Sequence, residues 1–226
     1  MLFIKVKNSN EGQNYLIKAL VKQLDIEQRV AWLVSGGSNI TISTEVRRKL
    51  PTNKLKNLRV ALIDERYGPI GHADSNFIRF QQAGFDFSNI DFEPVLIADN
   101  LNLEQTTKDY ERRLKDLLRE SDVVIGQFGM GIDGHIAGIL PHSQACTIDD
   151  RLVIGYQAQD FERITLSFKA IRMIDESYIF AFGENKRGPL RSLYDENQPL
   201  DDQPVHIFRQ SYSKSFIIND MIGDKI

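Results

Sequence analysis

The sequence predicts an α/β fold, a mainly parallel sheet with helices on both faces. Apolar runs alternate with amphipathic helical stretches along the whole chain, and no internal repeat interrupts them. Several runs end in a small-residue or charged cluster, at residues 35–38, 64–66, 126–135 and 183–186. Parallel strands buried on both faces read as continuous apolar runs, and a parallel neighbour needs a crossover, usually a helix. The carboxyl ends of parallel strands lie on one edge of the sheet, so the clusters are expected to converge there.

The elements follow in order. Leu2 to Val6 alternates apolar residues with Lys, as an edge strand does. Ser9 to Ile26 carries Tyr15, Leu16, Ala19, Leu20 and Leu24 at helical spacing, with Ser9 as its expected N-cap. Val30–Val34 is a buried strand, and Ile40 to Leu50 a short helix broken by Pro51. Leu58 to Ile63 is a third strand. A helix starts near Asp74-Ser75-Asn76, Phe92 to Ile97 forms a strand, and Leu103 to Arg119 forms the longest helix. Asp122 to Ile125 is a buried strand, and Ile136 to Leu140 is expected to begin a short helix stopped by Pro141. Leu152 to Tyr156, Arg163 to Phe168 and Tyr178 to Phe182 are strands, and a helix runs to Tyr194. Val205 to Phe208 and Phe216 to Ile218 close the chain as strands. The polar loop from Asp195 to Pro204 is too short to divide domains, so residues 1–226 are expected to form a single domain.

Composition narrows the function. The chain is 42% hydrophobic and 26% charged with a formal net charge of −3, which gives no support to nucleic-acid binding. The densest basic patch, Arg112-Arg113-Leu114-Lys115, is flanked by Glu111 and Asp116 and reads as a solvated helix face. The single cysteine, Cys146, excludes an intrachain disulfide framework and suits a reducing compartment. No apolar run approaches the roughly 18 residues of a membrane span. The first residues lack a signal-peptide core, so a cytoplasmic location without membrane partners is expected.

The stretch from Gly126 to Ser143, GQFGMGIDGHIAGILPHS, carries the most chemistry. Its glycines, Gly131 among them, allow φ > 0 and close approach of a ligand. Imidazole suits proton abstraction from water near neutral pH, and a carboxylate beside it can orient the ring, which singles out His135 with Asp133. Two residues that close in sequence need a turn between them to meet. His72, His142 and His206 rank lower, and no familiar zinc spacing is present, so neither a metal nor a cofactor is expected. Ser35-Gly36-Gly37-Ser38 has exposed amides at a helix start, which suits a phosphate or carboxylate, but taken alone it reads better as a tight turn with Ser38 as N-cap. In Asp64-Glu65-Arg66, strand geometry puts Asp64 and Arg66 on one face and leaves Glu65 to buttress the structure.

Taken together, Ser35 to Ser38, Asp64 to Arg66 with His72 through Asn76, Gly129 to His135 through Pro141, and Gly183-Glu184-Asn185-Lys186 resemble the 6-phosphogluconolactonase family, in that family's order and over nearly the whole chain. The wider group includes glucosamine-6-phosphate deaminases, which share the Asp-Gly-His loop. The resemblance implies a Rossmann-like three-layer sandwich and a cytosolic, metal-independent enzyme that hydrolyses 6-phosphoglucono-δ-lactone, a small sugar phosphate, to 6-phosphogluconate in the pentose phosphate pathway. It implies His135 as general base and Asp133 as its orienting carboxylate. Ser38 and the amides of Gly36 and Gly37 become a phosphate turn completed by Arg66 and Lys186. Arg163 also matches a family arginine, and Asp64 is expected to hydrogen-bond the sugar.

The departures are informative. Asn39-Ile40 stands where the family has Thr-Pro, so Asn39 is expected to replace a lost phosphate contact. Leu140 stands where the deaminases carry a glutamate just before the proline, which disfavours the ring-opening relay of a deaminase. A non-catalytic sugar-phosphate-binding domain is a further alternative. The intact Asp133–His135 pair argues against it, as does an opening strand that leaves no place for a DNA-binding module ahead of it. Oligomeric state is not legible in the sequence.

Overall fold

The apolar runs become the central strands of a parallel sheet. In the computed structural model, which describes residues 1–210 and 213–223, the strands are β1 (Leu2–Lys5), β2 (Val30–Val34), β3 (Leu58–Leu62), β4 (Asp64–Arg66), β5 (Asp91–Glu93), β6 (Val123–Gly129), β7 (Val153–Gln157), β8 (Glu162–Leu166), β9 (Glu176–Ala181) and β10 (Lys214–Asn219). The helices are α1 (Ser9–Asp25), α2 (Asn39–Lys49), α3 (Asn76–Gln82), α4 (Leu103–Glu120), α5 (Phe168–Ile171), α6 (Arg187–Asp195) and α7 (Ile207–Gln210). Seven strands form one parallel sheet in the order β1-β10-β9-β6-β2-β3-β5, with helices around it. Every residue of β2 is buried, and β1, with two of its side chains exposed, lies at the edge.

Strand order fixes where a ligand can enter. From β2 the chain steps outward to β3 and β5, then returns through α4 to lay β6 on the other side of β2. The register Val34↔Gln127 sets the end of β2 beside β6 shortly before β6 ends at Gly129, and the Ser35 amide donates to the Gln127 carbonyl at 3.1 Å. A reversal of strand order opens a crevice beyond the strands' carboxyl ends. Gln127 is fully buried there, accepting from Ser43 Oγ at 3.0 Å and so tying α2 to β6.

Some expectations need correcting. Leu152–Tyr156 and Arg163–Phe168 do supply strands, but β7 and β8 join β4 in a separate antiparallel sheet rather than the main one. The expected helix over Ile136–Leu140 is a turn, closed by an Ile136↔Ile139 bridge. Its apolar spacing looks helical, but Ala137 (φ 55°) and Gly138 (φ 67°) are both left-handed, which a helix does not allow. The expected strand Val205–Phe208 is instead a 3-10 turn, Pro204–His206, running into α7. Proline is pre-shaped for a first helical turn, and because all these residues are buried the apolar run carries no period. β5 stops at Glu93 because Pro94 has no amide to pair. Asn8, not Ser9, caps α1, accepting from the Glu11 amide at 3.0 Å.

Glu65 buttresses the site edge from within. Only 1% exposed, its carboxylate accepts from the amides of Arg66 (2.8 Å), Asn76 (2.6 Å) and Phe77 (3.1 Å) and from Ser75 Oγ (2.9 Å). It thereby holds the start of α3 against β4. Burial pushes its carboxyl above the ordinary value, and these hydrogen bonds oppose that shift. Glu65→Gln puts an amide donor opposite groups that donate, so we expect a loss of about 1–3 kcal/mol in unfolding free energy, measured by urea denaturation.

Candidate active site

The loop after β6 folds so that Asp133 and His135 meet. Gly134, at φ 82°, supplies the left-handed residue that reverses the chain between them. The Gly131 amide donates to the His135 carbonyl at 2.7 Å and closes the loop. Asp133 Oδ1 then lies 2.7 Å from His135 Nδ1 and 3.1 Å from its amide. Acceptance by the carboxylate assigns the Nδ1–H tautomer, which leaves Nε2 as a basic lone pair. A methyl group on Gly131 would sit 2.1 Å from His135 Nδ1 and 2.5 Å from Asp133 Oδ1, so only glycine leaves room for the pair.

The next turn forms the floor beside this loop, held from the small sheet. Thr165 Oγ1 donates to the Ala137 carbonyl, and the Tyr156 hydroxyl donates to that of Gly138 at 2.6 Å. The Asp64 carboxylate, 8% exposed, lies against Gly138 and accepts from Asn76 Nδ2 at 3.2 Å.

The opposite wall is built for negative charge. The amides of Gly36, Gly37 and Ser38 donate to no other group among the described residues. Ser38 occupies the N-cap position of α2 but its hydroxyl caps nothing. A row of free amides at a helix start attracts anions. Arg66 and Arg163 are directly opposed across β4 and β8. Their guanidinium carbons lie 5.6 and 5.8 Å from the Phe161 ring centre. Asp160 holds Arg163 at 2.7 Å, and the Asp74 carbonyl accepts from Arg66 at 2.8 Å. Lys186, half-buried after β9, has its ammonium pKa pushed below the ordinary value by burial, against the opposing pull of Asp133.

These groups share one cleft of about 280 Å³. Gly36, Gly37, Ser38, Asn39, Asp64, Arg66, Gly131, His135, Arg163 and Lys186 all line it, and Asp133 stands behind His135. Asn39 is 1% exposed, and its carboxamide is tied to β6: turned with its oxygen toward the Gly129 amide, it accepts at 3.1 Å. Asn76 and Ile132 also line the cleft and Phe161 lies beside both arginines, and the sequence marks none of these three as a site residue. In the sequence, Asn76 reads only as part of a helix start.

The other histidines lie elsewhere. His72 Nε2 contacts the Arg66 carbonyl at 3.0 Å, and His206 is fully buried. His142 lies near Asp201 and Asp202 in an exposed group, the only three-residue set among the described residues with metal-ligand spacing, and none of the three lines the cleft. Among the described residues no helix is long and apolar enough to cross a membrane.

With this geometry in place, comparison with known proteins is informative. Residues 6–217 match the family model described as glucosamine-6-phosphate isomerases/6-phosphogluconolactonase. A 6-phosphogluconolactonase of Nostoc sp. is 30% identical over 71% of this chain and 70% of its own. The solved structure of a 6-phosphogluconolactonase from Shewanella baltica superposes with a TM-score of 0.81 at 20% identity, covering 97% of each chain. A monomeric glucosamine-6-phosphate deaminase superposes with a TM-score of 0.75 at 19% identity, again covering 97% of each chain.

Partial burial raises the Asp133 carboxyl pKa, but the His135 amide and imidazole outweigh it and hold it below the ordinary value. A depressed carboxylate contributes stability that is present above its unfolded pKa of about 3.9 and lost as pH falls through the lower folded value. We therefore expect the Tm difference between the protein and Asp133→Asn to shrink as the pH falls from about 5 toward about 3, measured by thermal melts across that range.

Proposed function

The chain belongs to the glucosamine-6-phosphate isomerase/6-phosphogluconolactonase family, and we propose that it is the lactonase, hydrolysing 6-phosphoglucono-δ-lactone to 6-phosphogluconate. The observation that carries this reading is the 2.7 Å contact of Asp133 with His135 Nδ1, which leaves Nε2 basic in a cleft shared with three cations.

In this reading the substrate phosphate sits at the free amides of the Gly36–Ser38 turn, with Arg66, Arg163 and Lys186 supplying charge. Asp64 accepts from sugar hydroxyls. His135 Nε2 takes a proton from water as the water oxygen attacks the lactone carbonyl, and Asp133 stabilises the imidazolium that forms. The tetrahedral intermediate collapses by breaking the ring carbon–oxygen bond. The imidazolium returns its proton to the departing ring oxygen, which becomes a hydroxyl, and the new carboxylic acid ionises in water. Leu140, just before Pro141, supports hydrolysis over deamination because it supplies no carboxylate for a ring-opening relay.

Purified protein is expected to accelerate hydrolysis of freshly prepared lactone. His135→Ala should lower kcat by about 10²–10⁴-fold while competitive inhibition by inorganic phosphate persists. Ammonia release from glucosamine 6-phosphate without lactone hydrolysis would replace this reading with the deaminase.

A further inference from the structure

Gly36 and Gly37 are adjacent, yet they are glycines for different reasons. Gly37 sits at φ 63° with open space around it, so its constraint is conformational. Gly36 has no left-handed φ, and its backbone admits any L residue. Its constraint is spatial: a methyl group there would lie 2.1 Å from Asn76 Oδ1, and its three nearest atoms all belong to the Asn76 carboxamide.

That carboxamide is fully buried and has one orientation. Nδ2 donates to the Asp64 carbonyl at 2.9 Å and to Asp64 Oδ2 at 3.2 Å, so Oδ1 must face Gly36. Oδ1 has no hydrogen-bond partner. The backbone behind it is pinned as well, since the Asn76 amide donates to buried Glu65 at 2.6 Å. Asn76 is thus a rigid spacer with one end on the Ser35–Ser38 turn and the other on the Asp64 carboxylate.

We propose that Asn76 is a positioning residue that sets the distance between the anion-binding turn and Asp64, so that one ligand engages both. The assignment of those two halves to phosphate and sugar rests on the function proposed above; the spacer itself rests on the geometry alone. Inorganic phosphate needs only the turn and its cations, whereas the lactone must span both halves.

A double-mutant cycle tests this on the intact chain. Asn76→Ala is expected to lower kcat/KM for the lactone by about tenfold or more, while inhibition by inorganic phosphate changes by less than about twofold. Gly36→Ala should also impair the lactone reaction in the parent protein, yet cost less than about twofold in the Asn76→Ala background, where its methyl group has room. Gly37→Ala should cost the same in both. If the Gly36 and Asn76 losses multiply, or phosphate affinity falls as much as lactone turnover, the proposal is overturned. Asn76→Ser serves the same cycle if the alanine variant folds poorly. If the parent hydrolyses no lactone, the function above fails, but the cycle still reads out in Tm. Gly36→Ala must then lower Tm only where Asn76 is present, and equal lowering in both backgrounds overturns the spacer.

Discussion

The pairing of β2 with β6 is the constraint on which the cleft depends. Those strands lie side by side though separated by two further strands of the main sheet in sequence, and their neighbouring carboxyl ends release the Ser35–Ser38 turn and the Gly129–His135 loop at one place. Because the sheet is parallel throughout, β9 delivers Lys186 on the same edge. Had the order run without reversal, the crossover helices would close over the space that the ligand needs. Gln127 and Ser43 then brace the crevice from below, so its walls are set by buried hydrogen bonds rather than by surface loops.

The small antiparallel sheet completes what the large one begins. β4 carries Asp64 and Arg66, β8 opposes Arg163 to Arg66, and Thr165 and Tyr156 hold the left-handed turn against which Asp64 rests. Buried carbonyls at such a turn need partners, and two hydroxyls from neighbouring strands supply them. Asn76, set by Glu65, is hydrogen-bonded to this wall through Asp64 and packs against Gly36 in the turn after β2.

Much of this was legible beforehand, for identifiable reasons. β2, β3 and β6 are continuous apolar runs, which only doubly covered strands require, and α4 has a regular buried stripe of Tyr110, Leu114 and Leu117. The loop residues His135 and Asp133 announced themselves because glycines and a charged pair seldom share a strand end without purpose. What stayed hidden depends on non-local partners. Whether Val205–Phe208 extends or coils is decided by Pro204 and its packing, not by its period. The antiparallel direction of β7 and β8 leaves no local mark, since a buried strand looks alike in either orientation. Asn39 lines the cleft, and the bond its buried carboxamide accepts from the Gly129 amide depends on a partner remote in sequence. Asn76 and Phe161 gain meaning only from what lies across from them.

The opposed arginines have a consequence for how a ligand arrives. Two like charges face each other across a strand pair, both beside the Phe161 ring and with Lys186 on the same cleft, while the carboxylates of Asp64, Asp133 and Asp160 stand among them. Charges of both signs at such close quarters leave a field that is strong locally and weak at a distance. An anion is therefore recognised by contact with particular groups at short range, within the screening length of about 8 Å at physiological salt.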